Sequence, residues 1–354
     1  MKCNLNFVGT RKYWYALSTV ILLAGIIAMV LNVFNPAIRA PFKLGIDFTG
    51  GTEIRVNMPA QFTVDDVAAK LQDFDISRES LKNSKNELII AIQGSSQDTN
   101  NSISDALKAA YGVEQKDISV DMVGPSIGKE LQRNALIAIV IGLMGILLYV
   151  TIRYDYKFAV SGIIALFHDA LVLLGFFAIT KIPINSFIVP ALLTAVGYSM
   201  NDTVIIFDRI RENLRLDKQA GIEDVVNRSI NQTLSRSLNT MLNVEFTVIA
   251  LMIFGGASIH SLAIAMFIGL TCGCYSSIFN ASQILVDWKL AEQNKKNTGR
   301  AKVAGGSASA ALRIDGDGSP EVVTAGLGAA QPNGENSSGV AGKAVKHRPK
   351  KKRY

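Results

Sequence analysis

The stretch YWYALSTVILLAGIIAMVLNVF, residues 13 to 34, runs for 22 residues without a charged side chain. An α-helix needs about 20 mostly apolar residues to cross a bilayer, so this stretch is long enough to span one. It is also longer than the apolar part of a secretory signal peptide, and it lacks a small-residue cleavage site. The stretch therefore predicts a retained membrane anchor.

Five similar windows follow along the chain. Nearly half of the 354 residues are hydrophobic and 18% are charged, and the apolar residues gather in long runs. That composition is typical of membrane proteins. The predicted spans are residues 13–34, 134–152, 158–180, 186–207, 237–256 and 261–286. The sequence thus predicts an α-helical polytopic membrane protein with six transmembrane helices, the last five forming a membrane domain over residues 133–290.

The loops between spans predict the orientation, because Lys and Arg near span ends are retained in the cytoplasm. Basic residues gather before the first span, between the second and third, and between the fourth and fifth. Those positions are Lys2, Arg11, Lys12, Arg153, Lys157, Arg209, Arg211, Arg215, Lys218 and Arg228. Both termini are therefore expected to be cytoplasmic, and residues 35–132 to lie outside.

Residues 35–132 change from apolar runs to strand-like alternation and amphipathic helices, which predicts a domain folded in water. The predicted order is strand 52–58, helix 63–74, strands 80–83 and 87–92, helix 102–112 and strand 117–124. This β-α-β-β-α-β order is that of a ferredoxin-like α+β fold. The domain's most unusual element is GIDFTGGT, residues 45–52, whose paired glycines favour a tight turn after the anchor.

The segment 291–354 is rich in Gly, Ala, Ser, Asn and charged residues, which predicts disorder. Its last twelve residues hold seven basic side chains, equal to the formal net charge of +7 for the whole chain. We expect such a tail to lie near anionic lipid or RNA by electrostatics, and we expect no specific DNA binding. Cys272 and Cys274 are interpreted as helix-packing residues, because a C-x-C pair alone is a poor metal site.

Polar residues inside three spans are the candidate functional groups, since ionisable residues at membrane depth are rare and usually functional. Span three contains His168 and Asp169, and span four contains Tyr198, Asn201 and Asp202. Span five carries a polar stripe at helical spacing, made of Arg236, Asn239, Thr240, Asn243 and Thr247.

Asp202 and Arg236 are expected at similar depth on antiparallel neighbours. They form either a static ion pair or a proton relay in which helix movement changes the proton affinity of the carboxylate. His168 and Asp169 either join that relay or make an interhelical hydrogen bond. Glu245, nine residues beyond Arg236, falls on the opposite helix face, where it either stays protonated or meets another subunit.

Five motifs in order carry a family resemblance. They are FKLGIDFTGGTEIRV after span one, VGPSIGKEL at 123–131, ALFHDALVLLG in span three, VGYSMNDTVIIFDRIREN in span four, and SINQTLSRSLNT entering span five. Over residues 10–290 the chain resembles the SecF group of the SecD/SecF family of protein-export membrane proteins, of the resistance-nodulation-division superfamily.

The resemblance implies a non-enzymatic inner-membrane subunit that uses proton motive force, with no cofactor, at late stages of protein export. The implied partners are a homologous six-span SecD chain, the SecYEG translocon, YajC as a further candidate, and the exported polypeptide. The family's intramembrane Asp and Arg fall on Asp202 and Arg236. Its external motif falls on Gly45, Asp47, Gly50 and Gly51, where positioning of the domain and substrate contact both remain open.

One departure from the family is TMLNV at 240–244, which stands where a Thr-Ser-x-Thr-Thr pattern is usual and puts a hydroxyl-lined path in doubt. Two other functions are alternatives for this sequence. The first alternative is half of a small-molecule efflux transporter of the same superfamily. Its discriminating features would be two large external domains and twelve spans in one chain. An intramembrane hydrolase using His168, Asp169 and Asp202 lacks H-E-x-x-H and G-x-S-x-G signals, and Arg236 beside Asp202 disfavours a shared carboxylate proton.

Overall fold

The computed structural model describes residues 5–36, 38–58, 62–74, 76, 80–84, 87–92 and 97–309. Its helices are α1 (Arg11–Phe34), α2 (Ile46–Thr49), α3 (Val64–Lys70), α4 (Gln97–Tyr111), α5 (Pro125–Arg153), α6 (Tyr156–Thr180), α7 (Ile188–Leu216), α8 (Ile222–Phe254), α9 (Ala257–Ser276) and α10 (Ser282–Ser309). A π-helical turn, Ser277–Ala281, joins α9 and α10 into one continuous helix. The basic cluster at the C-terminal end lies outside the described residues.

Within the described ranges, six helical segments are long and apolar enough to cross a membrane, which confirms the predicted polytopic fold. They are α1, α5, α6, α7, α8 and the continuous α9–α10 helix. The domain between α1 and α5 lies at one end of these helices. We call the membrane face at that end the domain side, and the opposite face the far side.

The domain is a four-stranded antiparallel sheet with two helices. Its strands are β1 (Gly51–Asn57), β2 (Leu81–Ser84), β3 (Glu87–Ile92) and β4 (Ile118–Val123), in the order β2-β3-β1-β4. Alternate residues such as Ile54 and Leu88 are fully buried and pack with Ile103 of α4 and Val67 of α3. The ferredoxin-like fold predicted from the sequence is confirmed.

The membrane bundle is built around α6, α7 and α9, whose inner faces are lined by small and polar residues. Gly269 of α9 packs against Ala195 of α7, where an added Cβ would lie only 2.4 Å from the alanine Cβ. Such close approach depends on small residues, as is usual for helices in membranes. In contrast, α1 and α5 expose broad apolar surfaces, which suits contact with lipid.

Two helices extend beyond the predicted limits. α8 begins at Ile222 instead of residue 237, because Ile222, Val226 and Ile230 form an apolar stripe that packs into the main core. α10 (Ser282–Ser309) continues into the segment for which the sequence predicts disorder from residue 291. Once a helix is nucleated, each added residue costs little, and the Ala- and Lys-containing sequence after Leu290 propagates it.

Candidate functional site

The predicted site residues separate into two groups. His168 and Asp169 of α6 lie inside the bundle, where both are buried. Asp202 of α7 is also buried but lies near Arg236 of α8. These two groups differ in how their polar atoms are satisfied, and that difference decides what each can do.

Asp169 is the centre of a hydrogen-bond cluster that joins three helices. Its Oδ2 accepts hydrogen bonds from the hydroxyls of Ser199 on α7 and Ser276 on α9, each at 2.6 Å. Its Oδ1 accepts one from the Cys272 thiol at 3.3 Å and lies 3.0 Å from His168 Nδ1. A buried carboxylate with this many donors is stabilised in place, so Asp169 acts as an interhelical fastener.

The same cluster has the donor types of a metal site. Ligand atoms of His168, Asp169 and Cys272 lie within 4.8 Å of one another. However, both Asp169 oxygens are already engaged by the neighbouring hydroxyls, thiol and imidazole. Hydrogen bonding accounts for this arrangement, and His168 Nε2 is the atom of the cluster that has no partner.

Asp202 has the opposite character. Its side chain is buried, with 6% exposure, and its Oδ1 has no hydrogen-bond partner. Arg236 acts on the carboxylate electrostatically, yet the two side chains make no ion pair within 4.0 Å. Asp202 thus has an open oxygen and a counter-charge beyond ion-pair distance, whereas donors occupy both oxygens of Asp169.

The remaining predicted residues lie on an exposed polar face of α7 and α8. Tyr198 is 37% exposed, and Asn201 helps to line a pocket of 310 Å³ together with residues of α5 such as Tyr149. On α8, the Thr240 hydroxyl donates a hydrogen bond to the Arg236 carbonyl at 2.9 Å. The polar stripe is thus open on the outside of this chain.

Asp208, six residues after Asp202, is a different kind of carboxylate. At the far side it accepts a hydrogen bond from the Tyr154 hydroxyl at 3.2 Å and pairs with Arg153 at 3.4 Å. Burial, reinforced by the charge of Asp208, raises the pKa of Tyr154. This exposed, paired acid belongs to the end of α7 and not to the buried site.

Sequence reasoning did not identify the serine and threonine partners within the bundle. Besides Ser199 and Ser276, Thr203 and Ser277 share a hydrogen bond of 2.7 Å between α7 and the π-helical turn. Thr271 of α9 donates one of 2.5 Å to Glu245. The available signal was weak, because small hydroxyl residues occur in most membrane helices for packing alone.

The external motif residues form the junction between the domain and the membrane bundle. Asp47 Oδ2 accepts hydrogen bonds from the Ser186 backbone N–H at 2.8 Å and from its hydroxyl at 2.5 Å. The Gly45 N–H donates to the Ile184 carbonyl at 2.9 Å, and a Cβ at Gly45 would clash with Asn185. Gly50 has a φ of +73°, a conformation that favours glycine, and its backbone packs against Pro125. These contacts favour a positioning role.

Two family descriptions match the chain. "Protein export membrane protein SecD/SecF, C-terminal" matches residues 102–291, more than half of the sequence, and "SecD/SecF GG Motif" matches residues 39–58. The chain belongs to the SecD/SecF family. Gly50 and Gly51, with the junction described above, fall inside the second match. The resemblance predicted from the sequence motifs is thereby confirmed.

Other SecD/SecF proteins differ in how much of their length this chain spans. Protein translocase subunit SecF of Synechocystis is 36% identical, over 85% of this chain and 99% of that protein. Protein translocase subunit SecDF of Bacillus subtilis is 37% identical, over 82% of this chain but 39% of that protein. The crystal structure of Thermus SecDF, described as a translocon-associated membrane protein, superposes with a TM-score of 0.70 at 34% identity, covering 80% and 38% of the two chains. Both relatives are named protein translocase subunits, which agrees with the role in protein export predicted for this chain.

Proposed function

We propose that this chain is the SecF-type subunit of a protein translocase and couples proton movement to polypeptide export. The observation that carries the proposal is the buried Asp202 carboxylate, whose Oδ1 has no hydrogen-bond partner while Arg236 lies within electrostatic range. Movement of α8 relative to α7 changes that distance and so changes the affinity of Asp202 for a proton. The proton gradient supplies the energy, without a bound cofactor.

The proposed partner that completes the membrane domain is a homologous six-span SecD chain. The match covers 39% of the Bacillus subtilis SecDF protein, whose remaining length leaves room for a second half of similar type. The exposed polar stripe on α7 and α8 is the surface that such a half would cover. The SecYEG translocon, YajC and the exported polypeptide complete the proposed set of partners.

The proposed location is the inner membrane, with both termini in the cytoplasm. Basic residues at the far side, among them Arg153, Arg209 and Arg215, agree with retention of that face in the cytoplasm. The domain then lies outside, where its sheet would meet the emerging polypeptide. The basic C-terminal residues would lie near anionic lipid headgroups or RNA.

The variant Asp202→Asn tests the coupling. It keeps the size and polarity of the side chain but cannot exchange a proton. A proton crossing 100 mV yields about 2.3 kcal/mol, which shifts an equilibrium roughly 50-fold. The variant is expected to lose this contribution of the proton gradient to export. Export of a secretory precursor is measured in membrane vesicles with and without a proton gradient, and only the gradient-dependent part should disappear.

Asp208→Asn is the matched control, since Asp208 lies on the same helix but is exposed and already paired. It is expected to retain gradient-dependent export. Unchanged gradient-dependent export by Asp202→Asn would rule out the proposed coupling.

A further inference from the structure

Glu245 is a further acid inside the membrane bundle, distinct from Asp169 and from the Asp202–Arg236 group. It lies in the last third of α8 and is 6% exposed, whereas Arg236 of the same helix is exposed. Nine residues at 100° each place the two side chains on opposite faces. Glu245 therefore faces inward, toward α9, where the Thr271 hydroxyl donates a hydrogen bond of 2.5 Å to its Oε1.

The Glu245 carboxylate has no ion-pair partner among the described residues, where no Lys, Arg or His nitrogen lies within 4.0 Å of it. A single neutral donor is a weak substitute for a counter-ion at membrane depth, where an isolated charge is costly and a protonated carboxyl is not. Glu245 is thus a buried acid whose hydrogen bond comes from a neutral hydroxyl and not from a charged partner.

The packing of α9 on α7 places Glu245 relative to Asp202. Gly269 packs on Ala195 and Gly273 packs on Ser199, so Thr271 lies level with Gly197 of α7. Asp202 is five residues further toward the far side, about 7 Å along the helix. Glu245 is therefore the acid nearer the domain side, and Asp202 is the acid nearer the far side.

Cys274 of α9 lies within electrostatic range of both acids, Asp202 and Glu245. It is three residues beyond Thr271, and so lies deeper toward the far side than the Glu245 hydrogen bond. Asp202 on α7 lies further still in the same direction. On α8 itself, Arg236 lies on the opposite face.

An apolar cluster separates Glu245 from the domain side. Val248 of α8 packs with Ala263 and Leu270 of α9, and all three are buried. The valine and the alanine lie on the domain side of Glu245, so a separation of α8 and α9 at this cluster would expose the carboxylate toward that side.

We propose that Glu245 is a second proton-carrying residue, which receives a proton from the domain side and passes it to Asp202. This inference rests on the proposed function. A proton joins the Glu245 carboxylate, then leaves it for the Asp202 carboxylate, and finally leaves Asp202 on the far side. One proton crosses in total, and both carboxylates return to their starting state. During the middle step the summed charge of the two acids does not change, which avoids creating a new charge inside the membrane.

The test compares three variants in vesicles that contain the assembled translocase. Glu245→Gln can still accept the Thr271 hydrogen bond but cannot exchange a proton, so gradient-dependent export should fall about tenfold while gradient-independent export stays unchanged. Thr271→Val removes the hydrogen bond but keeps the acid, and should retain most gradient-dependent export. Glu245→Asp keeps a titratable group and should restore part of the rate, with a shifted dependence on pH at the domain side.

A purely structural role for Glu245 predicts the reverse pattern. If Glu245→Gln matches the parent chain while Thr271→Val lowers export, the carboxyl only fastens α8 to α9 and the inference is wrong. Asp202→Asn, measured in parallel, separates the two claims. If gradient-dependent export is lost with Asp202→Asn but not with Glu245→Gln, this inference alone is wrong. If gradient-dependent export is not lost with Asp202→Asn, the proposed function itself is wrong.

Discussion

At the level of single residues, the bundle contains carboxylates in two different states. Asp169 is surrounded by donors from Ser199, Ser276 and Cys272, whereas Asp202 keeps one oxygen without a partner. When donors occupy both oxygens, the carboxylate is held in place, because any movement of the side chain breaks several hydrogen bonds at once. An unsaturated carboxylate lacks that restraint, so Asp169 suits a structural role and Asp202 suits the proton binding that we propose for it.

Asp169→Ala is expected to destabilise the bundle strongly. The substitution leaves the buried Ser199 hydroxyl without its acceptor, at about 1–3 kcal/mol for an unsatisfied group, and leaves the Ser276 hydroxyl only the Gly273 carbonyl. Thermal unfolding of the purified chain in detergent should show a clearly lower midpoint. Asp155→Ala is the control, since Asp155 is exposed and its side chain makes no capping hydrogen bond. Equal midpoints for the two variants would contradict the fastening role of Asp169.

The sequence predicted part of this site for a simple reason. Asp169, Asp202 and Arg236 are conspicuous, because charged residues rarely occur in apolar runs. Ser199 and Ser276 are not, because serine is common in membrane helices and its role depends on which way each helix faces. The rotation of α9 is set by packing over its whole length, and local spacing does not determine it. The junction role of Asp47 likewise depends on Ser186, which is 139 residues away.

At the level of elements, small residues determine which helices touch. Gly25 of α1 meets Gly175 of α6, and a Cβ on either would lie 2.9 Å from the other backbone. The helices can approach this closely only without side chains at the contact. The apolar runs predicted the six spans, but helix ends such as Ile222 were missed, because apolar stripes extend helices beyond the hydrocarbon region.

Gly175→Val is expected to separate α1 from α6. The branched side chain would occupy the position of the Gly25 backbone, and overpacking of this kind typically costs about 1–3 kcal/mol. Proteolysis of the purified chain in detergent should cut near the end of α1 faster than in the parent. Gly145→Val is the control, since a Cβ there meets nothing within 4 Å. Similar cleavage rates for Gly175→Val and the parent would show that the contact between Gly25 and Gly175 is not needed to hold α1 against α6.

At the level of the whole molecule, the chain has two kinds of membrane-facing surface. The outer faces of α1 and α5 are apolar, with side chains such as Ile27 and Leu136 well exposed, and they suit lipid. The face formed by α7 and α8 instead exposes Asn201, Arg236 and Asn243. Polar groups facing hydrocarbon are costly, so this second face needs a protein partner or a water-filled space beside it.

The difference between these surfaces can be measured by cross-linking. In a chain whose native cysteines are replaced by serine, a single cysteine at Asn201 should react through a bifunctional maleimide with a second six-span chain in native membranes. A single cysteine at Ile27, which is 56% exposed on the apolar face, should give little of that product. If both positions gave equal yields, or if only Ile27→Cys were linked, the partner would lie elsewhere. The polar stripe beside Asp202 would then face water, and proton movement would not need a second half of the membrane domain.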